Sequence, residues 1–308
     1  MRVVLIGAEA AAIQVLKRLA EAEHDVVAVL ADDAVAATGA GLGEHAQRLG
    51  LPVLDAALVR TPELAGWMTD QEVDLLLNVH SLSIVHGDVV LAPRIGSFNL
   101  HPGPLPRYAG LNTVSWAIYN GEPMHGVTLH WMDAGVDTGA VAYRADFPIA
   151  IDDSGLSVFT KCVRHGVPLV LRLMEAASSD PPTIPAERQE GERTLYRRRD
   201  IPQDGRIEWD RPARRVHDFV RAADFSPFAS PWPHPSTRLG DRELGIVRTA
   251  LTGRPCSEAP GTIGEVRGDA ATVATADEWL DLVAVAVGGR RRPANEVLTA
   301  GKVLEDGA

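Results

Sequence analysis

The chain has 308 residues, and at about 150 residues per domain this length predicts two domains, each large enough for its own core. Residues 1–180 carry 21 acidic and 11 basic side chains, which disfavours a surface for phosphate backbones, because such affinity comes from Lys and Arg. No apolar run reaches the roughly 18–20 residues of a transmembrane helix, and Cys162 and Cys256 form no CxxC pair, so we expect a cytoplasmic protein without a membrane partner.

Strand-like and helix-like segments alternate through the first half of the chain. Strands are predicted at Val3–Gly7, Asp25–Leu30, Val73–Val79, Ile95–His101 and Val127–Trp131, and helices at Ala10–Glu23, Leu111–Tyr119 and Ser157–Ala177. Unbroken apolar strands spaced by helices indicate an α/β fold with a mostly parallel sheet covered on both faces. Gly7 alone follows the first strand, where a dinucleotide site needs G-x-G-x-x-G, so we expect a Rossmann-like domain without a dinucleotide.

The composition changes after residue 180, where a Pro-rich, charged stretch predicts a linker. The predicted division is a domain at 1–180, a linker at 181–194 and a second domain at 195–308. The second domain is expected to be a small, β-barrel-like fold. Its predicted elements are a helix at Ala213–Ala223, a Pro-rich loop at Ser226–Pro235, and strands at Leu244–Arg248, Thr262–Val266, Thr272–Ala276 and Leu280–Val287.

Polar side chains cluster where the Ile95–His101 strand ends. Asn99 and His101 lie two apart and so share a face of the strand. Asp137 sits in a loop with glycine on both sides, which could aim it back toward His101. An Asn amide and a protonated imidazole can donate hydrogen bonds to a developing oxyanion, while a carboxylate raises the pKa of the imidazole and accepts a proton from an attacking amine. Because the set has no Ser or Cys nucleophile, it predicts direct acyl transfer to an amine.

Each of these residues alone also has a structural interpretation, as a strand-end histidine or a turn aspartate. Four separated motifs in one order make the combination specific: Asn99-Leu100-His101-Pro102-Gly103, Leu105-Pro106-Arg107-Tyr108-Ala109-Gly110, Gly126-Val127-Thr128 and Asp137-Thr138-Gly139. Together they resemble the 10-formyltetrahydrofolate-dependent formyltransferases. Arg206-Ile207-Glu208-Trp209 and Pro260-Gly261-Thr262-Ile263 resemble the second, open-barrel domain of methionyl-tRNA formyltransferases.

The resemblance implies a catalytic set of Asn99, His101 and Asp137, with Asp137 keeping His101 charged. It also implies that 10-formyltetrahydrofolate is the co-substrate and that the pterin contacts two loops and Leu105. The implied pterin residues are His80, Ser81, Leu82, Ile84 and Val85 in the first loop and Asp133, Gly135 and Val136 in the second. No metal is expected, because the spacings of His125 with His130 and of His80 with His86 match no metal-site pattern.

Three amine acceptors compete. Relatives that act on methionyl-tRNA carry a basic loop after the second strand, whereas Ala31–Leu42 holds Asp32 and Asp33 and no basic residue. Ten arginines between Arg188 and Arg221 are interleaved with seven acidic residues, which indicates a paired, solvated surface. We therefore expect no nucleic-acid partner. A nucleotide-linked amino sugar is neither indicated nor excluded.

The third acceptor is an amino-acid-type amine. The stretch Gly110–Trp116 resembles formyltransferases that act on amino-acid amines in siderophore and nonribosomal-peptide pathways. Asn112 and Trp116, four apart on one predicted helical face, are the expected substrate contacts, with a core position as the alternative for Trp116. We expect a small-molecule amine, N5-hydroxyornithine in siderophore assembly being the specific candidate. Hydrolysis of formyltetrahydrofolate, with water as the nucleophile, is the alternative reaction.

Overall fold

The computed structural model describes residues 1–22, 24–31 and 41–306. The chain divides into two compact units. The first contains residues 1–113, 124–148 and 159–196, and the second contains 114–123, 149–158 and 197 onward. Each unit therefore takes segments from more than one part of the sequence. Residues 181–194, for which the sequence predicts a linker, group with the first unit.

A twisted sheet forms the centre of the first unit. The strands of this unit are β1 (Arg2–Gly7), β2 (Asp25–Ala31), β3 (Val53–Asp55), β4 (Leu75–Val79), β5 (Gly96–His101), β6 (Ala109–Gly110), β7 (Met124–Trp131), β8 (Val141–Pro148) and β9 (Leu195–Tyr196). The sheet order is β3-β2-β1-β4-β5-β7-β8, and β6 pairs separately with β9. β1 to β5 run parallel within the sheet, whereas β7 and β8 are antiparallel. The mostly parallel α/β prediction is confirmed.

Helices accompany this sheet along the chain. They are α1 (Glu9–Glu21), α2 (Leu42–Arg48), α3 (Glu63–Asp70), α4 (Gly87–Leu91), α5 (Thr113–Tyr119) and α6 (Gly155–Ala177). All but the first residue of α5, and the first turn of α6, group with the second unit. No helix in the described ranges is long and apolar enough to cross a membrane.

Both faces of the sheet are buried, as the unbroken apolar strands predict. Every residue of β4 is buried. Leu75 and Leu77 pack into one apolar cluster, whereas Leu76 between them packs into another with Val4, since alternate side chains of a strand point to opposite faces. Each fully buried Leu stabilises the fold by roughly 1.5–3 kcal/mol, so the strand is held from both sides and its carboxyl end is fixed.

The second unit is built on an antiparallel, curled half-barrel. Its helix is α7 (Ala213–Ala222), and its strands are β10 (Ser236–Leu239), β11 (Arg242–Pro255), β12 (Ile263–Arg267), β13 (Ala270–Ala274), β14 (Glu278–Val287), β15 (Arg290–Pro293) and β16 (Glu305–Asp306). The order is β12-β13-β14-β11-β10-β16, with β15 on β14. The predicted barrel-like second domain is confirmed, with more strands than the sequence predicts.

The Pro-rich loop at 226–235 contributes to this second unit. Its Trp232 is 1% exposed and packs nearly perpendicular to Trp116, with ring centroids 5.0 Å apart. Phe219 of α7 lies 6.4 Å from the same ring. The loop that the sequence leaves without a role therefore closes an aromatic cluster within the second unit.

Candidate active site

The carboxyl end of β5 presents two polar side chains on one face. His101 is buried, and its Nε2 lies 2.7 Å from the carbonyl oxygen of Tyr108. Because that oxygen can only accept, Nε2 carries the hydrogen and donates it. A Cβ on Gly103 would approach His101 Nε2 to 2.8 Å and the Tyr108 oxygen to 2.7 Å, so this contact requires glycine there. The ring is thereby fixed with Nδ1 facing the site.

Asp137 meets this face from the loop between β7 and β8. It adopts a φ of 53°, in the left-handed region. Its Oδ2 accepts a hydrogen bond from the Gly110 amide at 2.8 Å and lies 3.5 Å from His101 Nδ1. Its Oδ1 accepts from Asn99 Nδ2 at 3.2 Å. The structure thus brings together the three residues that the sequence singles out.

His130 is a fourth member of the cluster. It lies directly opposite Asn99 in the β5–β7 pairing, with Nε2 3.1 Å from Asn99 Nδ2 and 3.5 Å from Asp137 Oδ1. Its Nδ1 lies 2.6 Å from the carbonyl oxygen of Trp131 and donates to it, and an Nε2 without a hydrogen accepts from Asn99. From the sequence alone, His130 suggests only half of a metal pair with His125. In the described residues no group of three or more His, Cys, Asp or Glu is arranged to hold a metal.

The protonation of the pair differs from the expectation. Burial works against the charge of Asp137, but the nearby His101 and the hydrogen bond from the Gly110 amide hold the pKa of its carboxyl below the usual range. Burial lowers the pKa of His101, and this outweighs Asp137 and the Tyr108 carbonyl, which raise it. The lowered pKa of His101 favours a neutral imidazole beside the Asp137 carboxylate, whereas the sequence predicts a charged one.

The first predicted pterin loop starts with a strained residue. His80 has a φ of 55°, and within the described residues neither ring nitrogen has a hydrogen-bond partner although both are buried. Burial, followed by the charge of His101, lowers the pKa of His80 to about 3, so its ring is neutral. Leu82 and Ile84 are 56% and 75% exposed. An unpartnered imidazole beside exposed apolar side chains fits a bicyclic heteroaromatic ligand that needs both stacking and hydrogen bonds.

The other residues predicted in this loop have partners in the protein. Val85 packs against the apolar cluster that contains Val4. Ser81 Oγ accepts a hydrogen bond from the Ser83 amide at 3.2 Å. Their contact with a pterin stays a prediction.

The second predicted pterin loop is closed by its own aspartate. Asp133 Oδ1 accepts from the Gly135 amide at 3.0 Å and from Thr138 Oγ1 at 2.5 Å, which forms the turn leading to Asp137. Val136 is 44% exposed. Leu105 is 3% exposed, so its side chain is part of the protein interior. Of these residues, Val136 offers an apolar side chain to a ligand.

The two predicted substrate residues do not share a helical face. Asn112 has a φ of 58° and precedes α5, which begins at Thr113, so that prediction is wrong. Trp116 lies in the second unit and packs against Tyr119, at 5.8 Å between ring centroids, as well as against Trp232. This packing favours the core alternative for Trp116. Asp32 and Asp33, on which the acceptor argument draws, lie outside the described residues.

Comparison with known proteins extends over the whole chain. The formyl transferase family model matches residues 1–170, and the model of the formyl transferase C-terminal domain matches 201–302. The chain is 30% identical to the methionyl-tRNA formyltransferase of Sorangium cellulosum (strain So ce56), over 100% of this chain and 98% of that protein.

Two solved structures share the fold. The N-formyltransferase from Helicobacter canadensis, in complex with folinic acid and dTDP-3-aminofucose, gives a TM-score of 0.70 at 20% identity, covering 91% of this chain and 98% of that one. HypX from Aquifex aeolicus, in complex with tetrahydrofolic acid, gives a TM-score of 0.67 at 19% identity. The match covers 96% of this chain and 46% of HypX. With these matches and the Asn99–His101–Asp137 cluster in place, the chain belongs to the formyltransferase family, which transfers a formyl group from a formyl tetrahydrofolate to an amine.

Proposed function

We propose that this formyltransferase acts on the amine of a small metabolite rather than on a tRNA. The observation that carries the proposal is the charge of residues 1–180, which contain Asn99, His101 and Asp137 and hold 21 acidic against 11 basic side chains. Binding of a polyanionic acceptor relies on Lys and Arg that displace its counterions. An acidic surface also repels such an acceptor at long range and slows its association.

The roles proposed for the cluster follow from its hydrogen bonds. Bound 10-formyltetrahydrofolate supplies the activated formyl group. Asp137 and the Nδ1 lone pair of His101, 3.5 Å apart, form one acceptor for the proton that the attacking amine releases. After protonation the imidazolium donates from both nitrogens, and the Tyr108 carbonyl continues to accept from Nε2. His101 thus becomes a cationic donor at the stage when negative charge develops on the formyl oxygen.

Asn99 is the second proposed donor to that oxygen. Both hydrogens of its amide are engaged, one with His130 Nε2 at 3.1 Å and one with Asp137 Oδ1 at 3.2 Å. Donation to the formyl oxygen therefore requires the Asn99 hydrogen that now points at Asp137 Oδ1 to turn toward that oxygen.

Direct transfer is supported by the state of the cysteines. Cys162 is fully buried, and burial raises the pKa of its thiol far above the usual range. Cys256 lies outside the motifs that carry the resemblance. A covalent formyl-cysteine would need an accessible thiolate at the site, so attack by the amine on the bound donor is the proposed route.

Three candidate acceptors of the formyl group remain: an amino-acid-type amine, a nucleotide-linked amino sugar and methionyl-tRNA. The motif at 110–116 supports an amino-acid-type amine such as N5-hydroxyornithine. The Helicobacter canadensis neighbour, solved with dTDP-3-aminofucose, favours a nucleotide-linked amino sugar. The Sorangium cellulosum relative, a methionyl-tRNA formyltransferase, favours methionyl-tRNA.

The test supplies 10-formyltetrahydrofolate with each acceptor in turn and follows tetrahydrofolate release together with the mass of the acceptor. We expect release that depends on N5-hydroxyornithine or on dTDP-3-aminofucose and adds one formyl group. Preferential formylation of methionyl-tRNA at physiological salt would overturn the small-acceptor proposal. Equally fast release with no amine present would instead identify a hydrolase. The Asp137→Asn variant serves as the control for background hydrolysis.

A further inference from the structure

Residues 187–196, here called the strap, lie between the two family-model matches. The first match ends at residue 170 and the second begins at residue 201. At its start, Glu187 and Val141 exchange two backbone hydrogen bonds of 2.7 and 2.9 Å. At its end, β9 pairs with β6, so that Gly110 lies beside Tyr196. The strap therefore joins the chain that follows Asp137 to the chain that carries Gly110.

Gln189, in the middle of the strap, binds the backbone of the Asp137 loop. Its Nε2 donates to the Asp137 carbonyl oxygen at 2.9 Å and to the Gly139 carbonyl oxygen at 2.8 Å, so both amide hydrogens are used on this loop. Arg193 donates to the carbonyl oxygen of Val136 at 2.6 Å. Asp137 holds a left-handed φ of 53°, which a residue other than glycine maintains only when its surroundings enforce it. The hydrogen bonds from Gln189 and Arg193 of the strap hold the loop in this conformation.

The strap also fixes the donor that holds the carboxylate. Gly110 has a φ of 86°, and a Cβ there would lie 2.1 Å from the carbonyl oxygen of Tyr196. This close approach sets the position of the Gly110 amide, which donates to Asp137 Oδ2 at 2.8 Å. One segment thus determines both the backbone that carries the Asp137 carboxylate and the amide that binds it.

We propose that Gln189 is a positioning residue for formyl transfer, because it holds the Asp137 loop where the carboxylate meets His101 and Gly110. The inference rests on the proposed role of Asp137 in taking the amine proton. The two hydrogen bonds of Gln189 Nε2 both go to backbone oxygens. It acts on the reaction through Asp137.

The amide chemistry of Gln189 predicts an unusual order of activity among its variants. Gln189→Leu removes both donors and leaves a side chain of similar volume. Gln189→Glu is closer in shape, but its carboxylate faces two carbonyl oxygens and repels them. The variant closer in shape is therefore expected to be the more damaging. A displacement of about 1 Å at a reacting group can lower the rate by about a hundredfold.

The experiment compares wild type, Gln189→Leu, Gln189→Glu and, as a control, Arg188→Ala. Arg188 is the exposed neighbour of Gln189 on the strap. Each is assayed with 10-formyltetrahydrofolate as the varied substrate and saturating N5-hydroxyornithine or dTDP-3-aminofucose, whichever the wild type formylates. We expect kcat to fall by about 10–100-fold in Gln189→Leu and further in Gln189→Glu, with KM for the donor within about threefold. Arg188→Ala is expected to match the wild type.

Folinic acid binding by calorimetry and the thermal unfolding midpoint separate positioning from misfolding. We expect both to stay near the wild-type values in Gln189→Leu. Wild-type kcat in both Gln189 variants, or a loss confined to KM, overturns the positioning role. If Asp137→Asn is inactive while the Gln189 variants are normal, only the strap inference fails. If Asp137→Asn is fully active, the proposed function of the site fails.

Discussion

Asp137 in the first unit and Asp218 in the second are both withdrawn from solvent, and their surroundings differ. Asp218 on α7 is 1% exposed and accepts hydrogen bonds from Arg214 Nε at 2.8 Å and Arg221 Nε at 2.7 Å. The side chain of Asp137 is 10% exposed, and both histidines near it lie at 3.5 Å. Asp218 has short bonds to permanent cations, whereas Asp137 has longer contacts to groups that can gain or lose a proton.

This difference separates a structural carboxylate from a reactive one. An arginine keeps its charge at any working pH, so the bonds to Asp218, which lie within α7, stabilise that helix and cannot relay a proton. Histidine changes charge near neutral pH, so the contacts of Asp137 are with groups that can take up and pass on a proton. A buried Asp–His contact is therefore a better guide to chemistry than a buried Asp–Arg contact.

The largest expected effect comes from Asp137→Asn, which removes the carboxylate and keeps its shape. We expect kcat to fall by about 10³-fold, because the amine proton loses its acceptor. Stability should fall modestly, since the lowered pKa of Asp137 means that the fold stabilises its carboxylate, and an amide would place a donor against Gly110 or Asn99. Steady-state assays together with thermal unfolding check both statements. A variant that retains activity within about tenfold of wild type would assign the proton to another group.

Asp218→Asn should show the opposite pattern. Arg221, whose side chain is 7% exposed, is left without its carboxylate, so we expect a loss of about 3 kcal/mol in the free energy of unfolding. Urea unfolding measures it. Arg214→Ala is the matched control, because Arg214 is 44% exposed and its pairing with Asp218 is expected to contribute less than about 1 kcal/mol. Equal losses in the two variants would contradict the comparison.

His130→Leu tests whether the fourth member of the cluster orients Asn99. We expect a loss of about 10–30-fold in kcat and near-wild-type activity in His130→Gln, whose side-chain oxygen can accept from Asn99 Nδ2. In an Asn99→Ala background, His130→Leu should have little further effect. His125→Leu is the control: His125 is also buried on β7, but its Nε2 lies 3.1 Å from the carbonyl oxygen of Pro102. Additive effects of His130→Leu and Asn99→Ala would exclude coupling.

The smallest effect is the pH dependence. Asp137 remains ionised, while burial places the pKa of His101 below 6.5. Asp137 faces His101 and favours its charged form. His130, His80 and His125 also face it, and a positive charge on any of them disfavours the charged form of His101. Since the proposed acceptor, the Asp137–His101 pair, needs a neutral His101, kcat/KM should be level from neutral pH upward and fall about tenfold per pH unit below that pKa. A rate that rises toward acid would require the imidazolium as the starting form.

Much of the site follows from local rules. The two-residue spacing places Asn99 and His101 on one face of a strand, and the following Pro-Gly ends that strand at the ligand-binding edge of the sheet. Likewise, unbroken apolar runs predict a parallel sheet with two covered faces. These features depend on residues near one another in sequence, so the amino-acid sequence alone is sufficient to predict them.

Other features depend on distant pairing. His130 joins the cluster because antiparallel pairing places it opposite Asn99, 31 residues away, and register is not visible in composition. Gln189 reaches Asp137 from 52 residues along the chain, within a stretch that looks like a linker. The direction of the pKa shift of His101 required its burial, which only the folded chain determines.

The bonds of Arg221 have a consequence for how this protein could be recombined with its relatives. Its guanidinium donates to the carbonyl oxygens of Ala150 and Asp153, which come from the inner segment 149–158. A chimera that exchanged only residues 197 onward would separate the arginine from these acceptors and Trp232 from Trp116. The second unit is therefore inherited as three segments, and an exchange that preserves it must carry 114–123 and 149–158 as well.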